Sequence, residues 1–441
     1  MKSLLNIFIL VLLCCVFISG RRVRRSYEPG SNKAVAVEEH GGIYRVYRNG
    51  QPYFIKGANV TGCHYLKDIK AAGGNSVRLY NTDSAQQVLD SAYRLGLTVT
   101  VGLAMGYAVK DIDYNDARAV ARQLEGLEKQ VRQFKDHPAL LMWGVGNETN
   151  LFLGDGISNF FDHLHLCNAI NAVAKMVHRV DPQHPAVMMV SGGSTNRFNA
   201  FFCDDVDLIA YNSFEDFTYQ VGLSYWKGPY IVSEYGQLGY WVSRKTQWYN
   251  FTEQTSYEKT QFMRSQYKAF LADSANCLGS YAFLWGQKQE YTSTWFSLYT
   301  ERGERTDLTE ELHALWTGLP SPAHTIYIRS MRINDKADAD NIYIRAGTSN
   351  TVTVTLTDTV ADHTRLRWEI QSDNIQYLDA SYTYQRQQLV KDSSLDLRVQ
   401  RYTCTFTFTA PATAGPYRLF LYLPNGDNKV ATANACFYVY D

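Results

Sequence analysis

Neither sign of charge prevails in this sequence: 43 basic side chains stand against 43 acidic ones in 441 residues. A balanced chain has no long-range field to draw it to nucleic acid or anionic lipid, and nucleic acid is not an expected partner. Cys-x-x-Cys pairs and zinc-ligand spacings are missing too, so neither a metal nor an organic cofactor is implied. His163 and His165 stand two apart on a predicted helix and face different ways, a poor metal pair. Ser191 and Ser213 have no partnered histidine of the kind a serine hydrolase needs. A G-x-G-x-x-G turn after the first strand is also absent, which weakens an open dinucleotide-binding sheet as the fold. There is no short-period repeat and no low-complexity stretch.

Long apolar runs are missing as well, except at the N-terminus. There Lys2 precedes an apolar run from Leu4 to Ile18, and Ser19-Gly20 supply small residues suited to cleavage. Residues 1–20 therefore read as a signal peptide, and the run is short for a span of ~20 apolar residues. Leu12 and Leu13 ahead of Cys14 argue against a lipoprotein signal. Arg21, Arg22, Arg24 and Arg25 keep a retained anchor open. The expected location is secreted, periplasmic or cell-surface, without stable membrane insertion after cleavage. Six cysteines lie beyond the signal: Cys63, Cys167, Cys203, Cys277, Cys404 and Cys436. They read mostly as buried thiols, although Cys404 and Cys436 could pair. A chain this long needs no disulfide scaffold.

What is present is a rhythm. A hairpin over 34–52 turns at Asn49-Gly50. Eight short apolar runs follow: 53–60, 76–80, 98–104, 140–146, 186–190, 206–211, 230–233 and 279–284. Continuous runs of this kind suit strands buried on both faces. Amphipathic stretches lie between them, such as Val120, Leu124, Leu127, Val131 and Phe134. Eight strands alternating with helices predict a (β/α)8 TIM barrel over 34–318, hairpin included. Around Leu319-Pro320-Ser321-Pro322 the period changes from helical to two, as in Val352/Val354/Leu356 and Tyr417/Leu419/Leu421. Residues 324–441 therefore read as an all-β immunoglobulin-like sandwich.

A barrel carries its site at the C-terminal ends of its strands. Asn59 ends the first run; Arg78 and Tyr80 close the second. Asn147-Glu148 end the fourth, Tyr211-Asn212 the sixth, Glu234 the seventh and Trp285 the eighth. One glutamate at a strand end is usually only a solvated or ion-paired residue. Two at the tops of opposite strands converge on one axis. Such a pair suits glycosidic cleavage, in which one carboxylic acid protonates the leaving oxygen and the other carboxylate attacks the anomeric carbon or activates water. The aromatic share of 14% allows sugar-stacking surfaces or ordinary core. Phe152, Phe214, Phe217, Trp226, Tyr240, Trp241, Tyr291 and Trp295 fall on loops leaving these strand ends. Glu215 and Asp216 could bind sugar hydroxyls. Asn59, Asn147 and Asn250 each open an Asn-x-Thr glycosylation triplet.

The stretch Asp136-His137-Pro138-Ala139-Leu140-Leu141-Met142-Trp143-Gly144-Val145-Gly146-Asn147-Glu148 resembles the acid/base strand of clan A retaining glycoside hydrolases, closest to the family 2 barrel. Phe54 to Asn59 and Gly74 to Tyr80 resemble both that barrel and the family 72 β-1,3-glucanosyltransferases. The resemblance covers roughly residues 40–316. It implies Glu148 as acid/base and Glu234 as nucleophile. It further implies that Asn147 binds the sugar 2-hydroxyl, Tyr211 hydrogen-bonds Glu234, Arg78 lowers the nucleophile's pKa and Trp285 floors the sugar subsite. Tyr80 and Asn59 join the substrate-binding set. Family 2 enzymes usually carry sandwich domains ahead of the barrel, whereas here the sandwich follows. That order resembles bacterial β-1,3-glucan hydrolases with a trailing immunoglobulin-like domain. The implied activity is double displacement on a β-linked poly- or oligosaccharide substrate, with β-1,3-glucan as the candidate. Transglycosylation at the same site, a glycan-binding protein on a decayed barrel and a structural scaffold are the alternatives.

Overall fold

The computed structural model describes residues 29–154, 157–191, 196–217, 226–320, 325–359, 364–374, 388–396, 402–426 and 428–441. The signal-peptide reading of residues 1–20 lies outside these residues. Among them, no helix is long and apolar enough to cross a membrane.

Three antiparallel strands, β1 (Val35–His40), β2 (Ile43–Arg48) and β3 (Gln51–Tyr53), form the first sheet. Asn49 and Gly50 both take positive φ, 50° and 73°, which a tight two-residue hairpin turn demands. Eight parallel strands then close into a barrel: β4 (Ile55–Asn59), β5 (Ser76–Leu79), β6 (Thr98–Leu103), β7 (Leu140–Val145), β8 (Ala186–Ser191), β9 (Leu208–Ser213), β10 (Tyr230–Tyr235) and β11 (Cys277–Ala282). Each of the eight apolar runs supplies one strand. β10 pairs with both β9 and β11, and β11 pairs with β4, so no edge remains.

Helices α1 (Leu66–Ala71), α2 (Ala85–Leu95), α3 (Ala117–Phe134), α4 (Phe160–Val180), α5 (Asn196–Phe202) and α6 (Ser256–Ala272) lie between strands, and α7 (Asp307–Thr317) follows the last. The amphipathic stripe of α3 buries Leu127, Val131 and Phe134. A capping box between Thr255 and Glu258 starts α6. Gly96 ends α2 in the left-handed conformation.

Two apolar layers result. Outward strand side chains such as Val99, Ile209, Tyr211 and Val232 pack with the helices. Inward ones, including Leu141, Val187, Ala210, Ile231 and Tyr281, fill the lumen with Val35 and Val46 of the first sheet. That sheet plugs the N-terminal end, where Tyr44 N–H donates to the Ala275 carbonyl and Arg48 donates to the Pro138 carbonyl. The opposite end is left for the site.

The C-terminal part is two sheets around one core. One has the order β12 (Arg305–Thr306), β20 (Lys429–Tyr440), β19 (Gly415–Pro424), β16 (Arg365–Ser372), β17 (Leu389–Asp396), with β14 (Ile342–Arg345) also on β20. The other is β13 (Ile328–Ile333), β15 (Ser349–Leu356), β18 (Thr403–Thr409). Strand β12 comes from the loops above the barrel, so main-chain bonds join the two parts. Buried Arg418 adds a side-chain link, donating to the Phe251 carbonyl while Asp373 and Asn434 of its own sheet hold its guanidinium. Cys404 and Cys436, which could have paired, are separate buried thiols.

Candidate active site

Each of the two glutamates owes its position to a local irregularity. Strand β7 leaves the barrel through Gly146 at φ 64° and Glu148 at φ 49°. A β-carbon on Gly146 would lie 2.6 Å from the Thr149 side chain. Glutamate in the left-handed region costs on the order of 1–3 kcal/mol, strain of a kind that gathers at functional sites. Strand β10 carries a bulge: between Val232 and Glu234 it advances two residues while β9 advances one. Ile231 points inward and Val232 outward; the bulge then lets both Ser233 and Glu234 face the lumen, while Tyr235 packs outward.

The two carboxyls sit in different electrostatic surroundings, linked by a chain of hydrogen bonds. Arg78, fully buried, donates to Glu234 Oε1 at 2.9 Å and to Asn147 Oδ1 at 2.6 Å. Asn212 Nδ2 donates to Asn147 Oδ1 at 3.3 Å and to Glu148 Oε1 at 2.8 Å. Glu234 thus has a guanidinium, and Glu148 only a neutral amide. Burial pushes the Glu148 carboxyl up to about 7, with the Glu234 charge adding to the rise and the Asn212 bond opposing it. Burial also raises Glu234 above the ordinary carboxylate value, and Arg78 opposes that rise. The lowering expected from Arg78 is therefore present but does not outweigh desolvation.

Asn59 is wholly buried. Its Nδ2 donates to the Ser233 and Ala282 carbonyls, and its Oδ1 accepts from Arg78 at 3.0 Å. It braces Arg78 rather than meeting a substrate. Tyr80 lies under the Arg78 guanidinium, 4.6 Å from ring centre to Cζ. Its buried hydroxyl is close enough to Glu234 to favour the charged carboxylate, yet makes no hydrogen bond of good geometry.

Two expected residues turn away. The Tyr211 ring packs edge-on against Tyr230 in the outer layer, 5.5 Å between centres. Leu208, Ala210 and Asn212 are the inward set of β9, so the residue at the site is Asn212, which also accepts from Ser233 Oγ at 2.7 Å. Trp285 is 3% exposed and stacks on Trp316 of α7, so it floors no sugar subsite.

Sequence reasoning missed Tyr107, Lys288 and Glu290. Tyr107, on the loop after β6, feels both glutamate charges and lies beside Asn147. Lys288 and Glu290, on the loop after β11, form an ion pair at 3.5 Å within electrostatic reach of Glu234. Charged residues just past the eighth run were the available signal. Of the loop aromatics, Phe214, Tyr240, Tyr291 and Trp295 join Phe283 and Phe296 in a buried cluster at the barrel's upper end. Phe217 packs on Phe270 of α6, and Trp226 donates to the Pro229 carbonyl. Phe152 lies edge-on to Tyr107, and Trp241 stands half-exposed, donating to Glu215. Neither Asn59 nor Asn250 offers its amide for glycosylation, since both donate to buried carbonyls.

A closed parallel barrel with an asymmetric pair of glutamates at its strand ends has the architecture of a glycoside hydrolase barrel. The chain belongs to glycosyl hydrolase family 2: the description "Glycosyl hydrolases family 2, TIM barrel domain" matches residues 63–318. It is similar to the β-glucuronidase of Felis catus, 24% identical over 208 residues, covering 44% of this chain and 29% of that one. It is similar also to a β-galactosidase of Aeromonas hydrophila subsp. hydrophila, 29% identical over 190 residues, covering 38% of this chain and 16% of that one. The chain spans less than a third of the length of these curated relatives. In fold it is similar to Bacteroides uniformis β-glucuronidase 2, solved covalently bound to cyclophellitol-6-carboxylate aziridine. The TM-score is 0.50 at 14% identity, covering 92% of this chain and 48% of that one.

Proposed function

We propose that the protein is a retaining β-glycoside hydrolase in which Glu234 is the nucleophile and Glu148 the acid/base. The observation that carries this reading is the asymmetry of the pair: Arg78 faces Glu234, and Glu148, with no cation against it, is pushed up to about 7. A cation thus favours the charged form of one carboxyl, while the other is suited to hold its proton.

Glu148 donates its proton to the glycosidic oxygen as that bond to the anomeric carbon breaks. Glu234 attacks the anomeric carbon and forms a glycosyl ester. Glu148, now ionised, takes a proton from water, the water oxygen attacks the same carbon, and the ester bond breaks to restore Glu234. The product keeps the β configuration. Asn147 has its carbonyl occupied by Arg78 and Asn212, so its Nδ2 is the group suited to bind the sugar 2-hydroxyl. If a second sugar takes the place of water, the same steps make a transglycosylase.

The test is turnover of aryl β-glucosides, β-galactosides and β-glucuronides. The panel also includes β-1,3-glucan, the substrate that the family 72 resemblance implies. NMR of the first-formed anomer gives the stereochemistry. Glu234→Gln should lower kcat by on the order of 10⁴ or more. Equal activity in both proteins refutes the nucleophile assignment, and a first-formed α product refutes retention.

A further inference from the structure

Above strand β11 lies a charge pair that the proposed chemistry does not use. Lys288 Nζ is 3.5 Å from Glu290 Oε2, and their side chains are 39% and 16% exposed, open enough to meet a ligand. The segment is held firmly. Lys288 N–H donates to Ser297 Oγ, which donates to the Lys288 carbonyl, while Glu290 and Thr292 exchange main-chain bonds. Both groups interact electrostatically with Glu234, and Glu290 also with Glu148, so they border the same mouth.

The charges around that mouth decide what the pair can bind. Arg78 is fully buried and spent on Glu234, Asn147 and Asn59. On the loop after β11, Lys288 is the cation placed to meet a substrate, and it is already matched by a carboxylate. An anionic sugar brought to Lys288 would face Glu290 at close range and Glu234 beyond it. A hydroxyl suits the gap instead: it can donate to Glu290 and accept from Lys288, and 3.5 Å leaves the pair loose enough to admit one.

Resting on the glycosidase reading, we infer that Lys288 and Glu290 are specificity-determining residues that select neutral sugars and reject uronates. The names of several relatives would suggest the opposite preference.

Binding and turnover test this together. Methyl β-D-glucoside, methyl β-D-galactoside and methyl β-D-glucuronide are titrated calorimetrically into wild type, Glu290→Gln and Lys288→Met. The matching aryl glycosides are then assayed. Wild type should bind and turn over a neutral glycoside better than the glucuronide. Glu290→Gln leaves Lys288 unmatched and should shift the glucuronide-to-neutral ratio at least ~10-fold toward the glucuronide. Lys288→Met should produce no such shift, although both variants disrupt the pair. Wild-type preference for the glucuronide, or an unchanged ratio in Glu290→Gln with an unchanged thermal midpoint, overturns the inference. The neutral preference in binding without any turnover would count against the hydrolase reading alone. Failure to bind any of the three glycosides overturns the inference and leaves the hydrolase reading to the turnover panel, β-1,3-glucan included.

Discussion

Replacing Asn212 with alanine removes the hydrogen bond that its Nδ2 donates to the Glu148 carboxylate at 2.8 Å. An amide N–H stabilises the ionised form of a carboxyl, so its loss must raise the pKa of Glu148. A hydrogen bond to a charged group contributes about 1.5–3 kcal/mol. At about 1.4 kcal/mol per unit this amounts to roughly 1–2 units. Water entering the vacated space would offset part of it, so a rise of about one unit is expected. The group already titrates at about 7. In the proposed mechanism the proton on Glu148 expels the leaving group, so the alkaline limb of kcat/KM should move up by about one unit. The assay is kcat/KM against pH for an aryl β-glycoside with a poor leaving group, which depends on protonation. An activated leaving group, which does not, serves as control. Ser233 Oγ also loses its acceptor, and a folding cost of about 1–3 kcal/mol should appear in urea unfolding. An alkaline limb that stays put or moves down, in a variant that unfolds cooperatively, refutes the assignment of Glu148 as acid and Asn212 as its partner.

The remaining predictions concern the other buried charges. Arg78→Gln removes the cation beside Glu234, so the acid limb of kcat/KM should move up by ~1–3 units; an unmoved limb would show that Arg78 does not hold the nucleophile ionised. Burial pushes Asp307 of α7 from 3.8 up to about 8, against the opposing pull of Asn425 and Ser256. Its folded pKa lies above the unfolded one, so it allows full stability below about pH 4 and costs stability as pH rises toward 8. Asp307→Asn should accordingly stabilise the fold by about 2–4 kcal/mol at pH 8 and by much less at pH 4, as read by urea unfolding at both pH values. Arg418→Met leaves Asp373 buried without its 3.0 Å partner and removes the bond to the Phe251 carbonyl, and should cost about 3–5 kcal/mol of unfolding free energy; a loss below about 1 kcal/mol would mean that this buried pair does not hold the C-terminal sheets together.

Much of the barrel is legible in the amino-acid sequence. Eight apolar runs separated by helical stripes permit few arrangements, and each run became one barrel strand. The period-two alternation of the C-terminal part likewise became strands of two further sheets. The residues at strand ends were harder. Barrel strands are apolar on both faces, so their sequence does not reveal which alternate residues point inward. Tyr211 and Asn212 were equally placed on paper, and only the lumen packing of Leu208 and Ala210 shows that Asn212 faces the site. Trp285 looked like a rim aromatic until Trp316, distant in sequence, covered its face.

By itself the sequence determined the strand and helix rhythm, the two strand ends that carry Glu148 and Glu234, and the candidate chemistry of two carboxylates. These are local facts, set by side-chain periodicity and residue type. Only the tertiary structure decided that a bulge turns Glu234 inward, that Asn59 braces Arg78, and that Lys288 meets Glu290 within electrostatic reach of Glu234. Those outcomes depend on closing the barrel, which brings residues from β4, β5 and β10 into contact and removes them from water. Burial and partner choice then set the charges, and neither can be read from a chain that has not yet closed on itself.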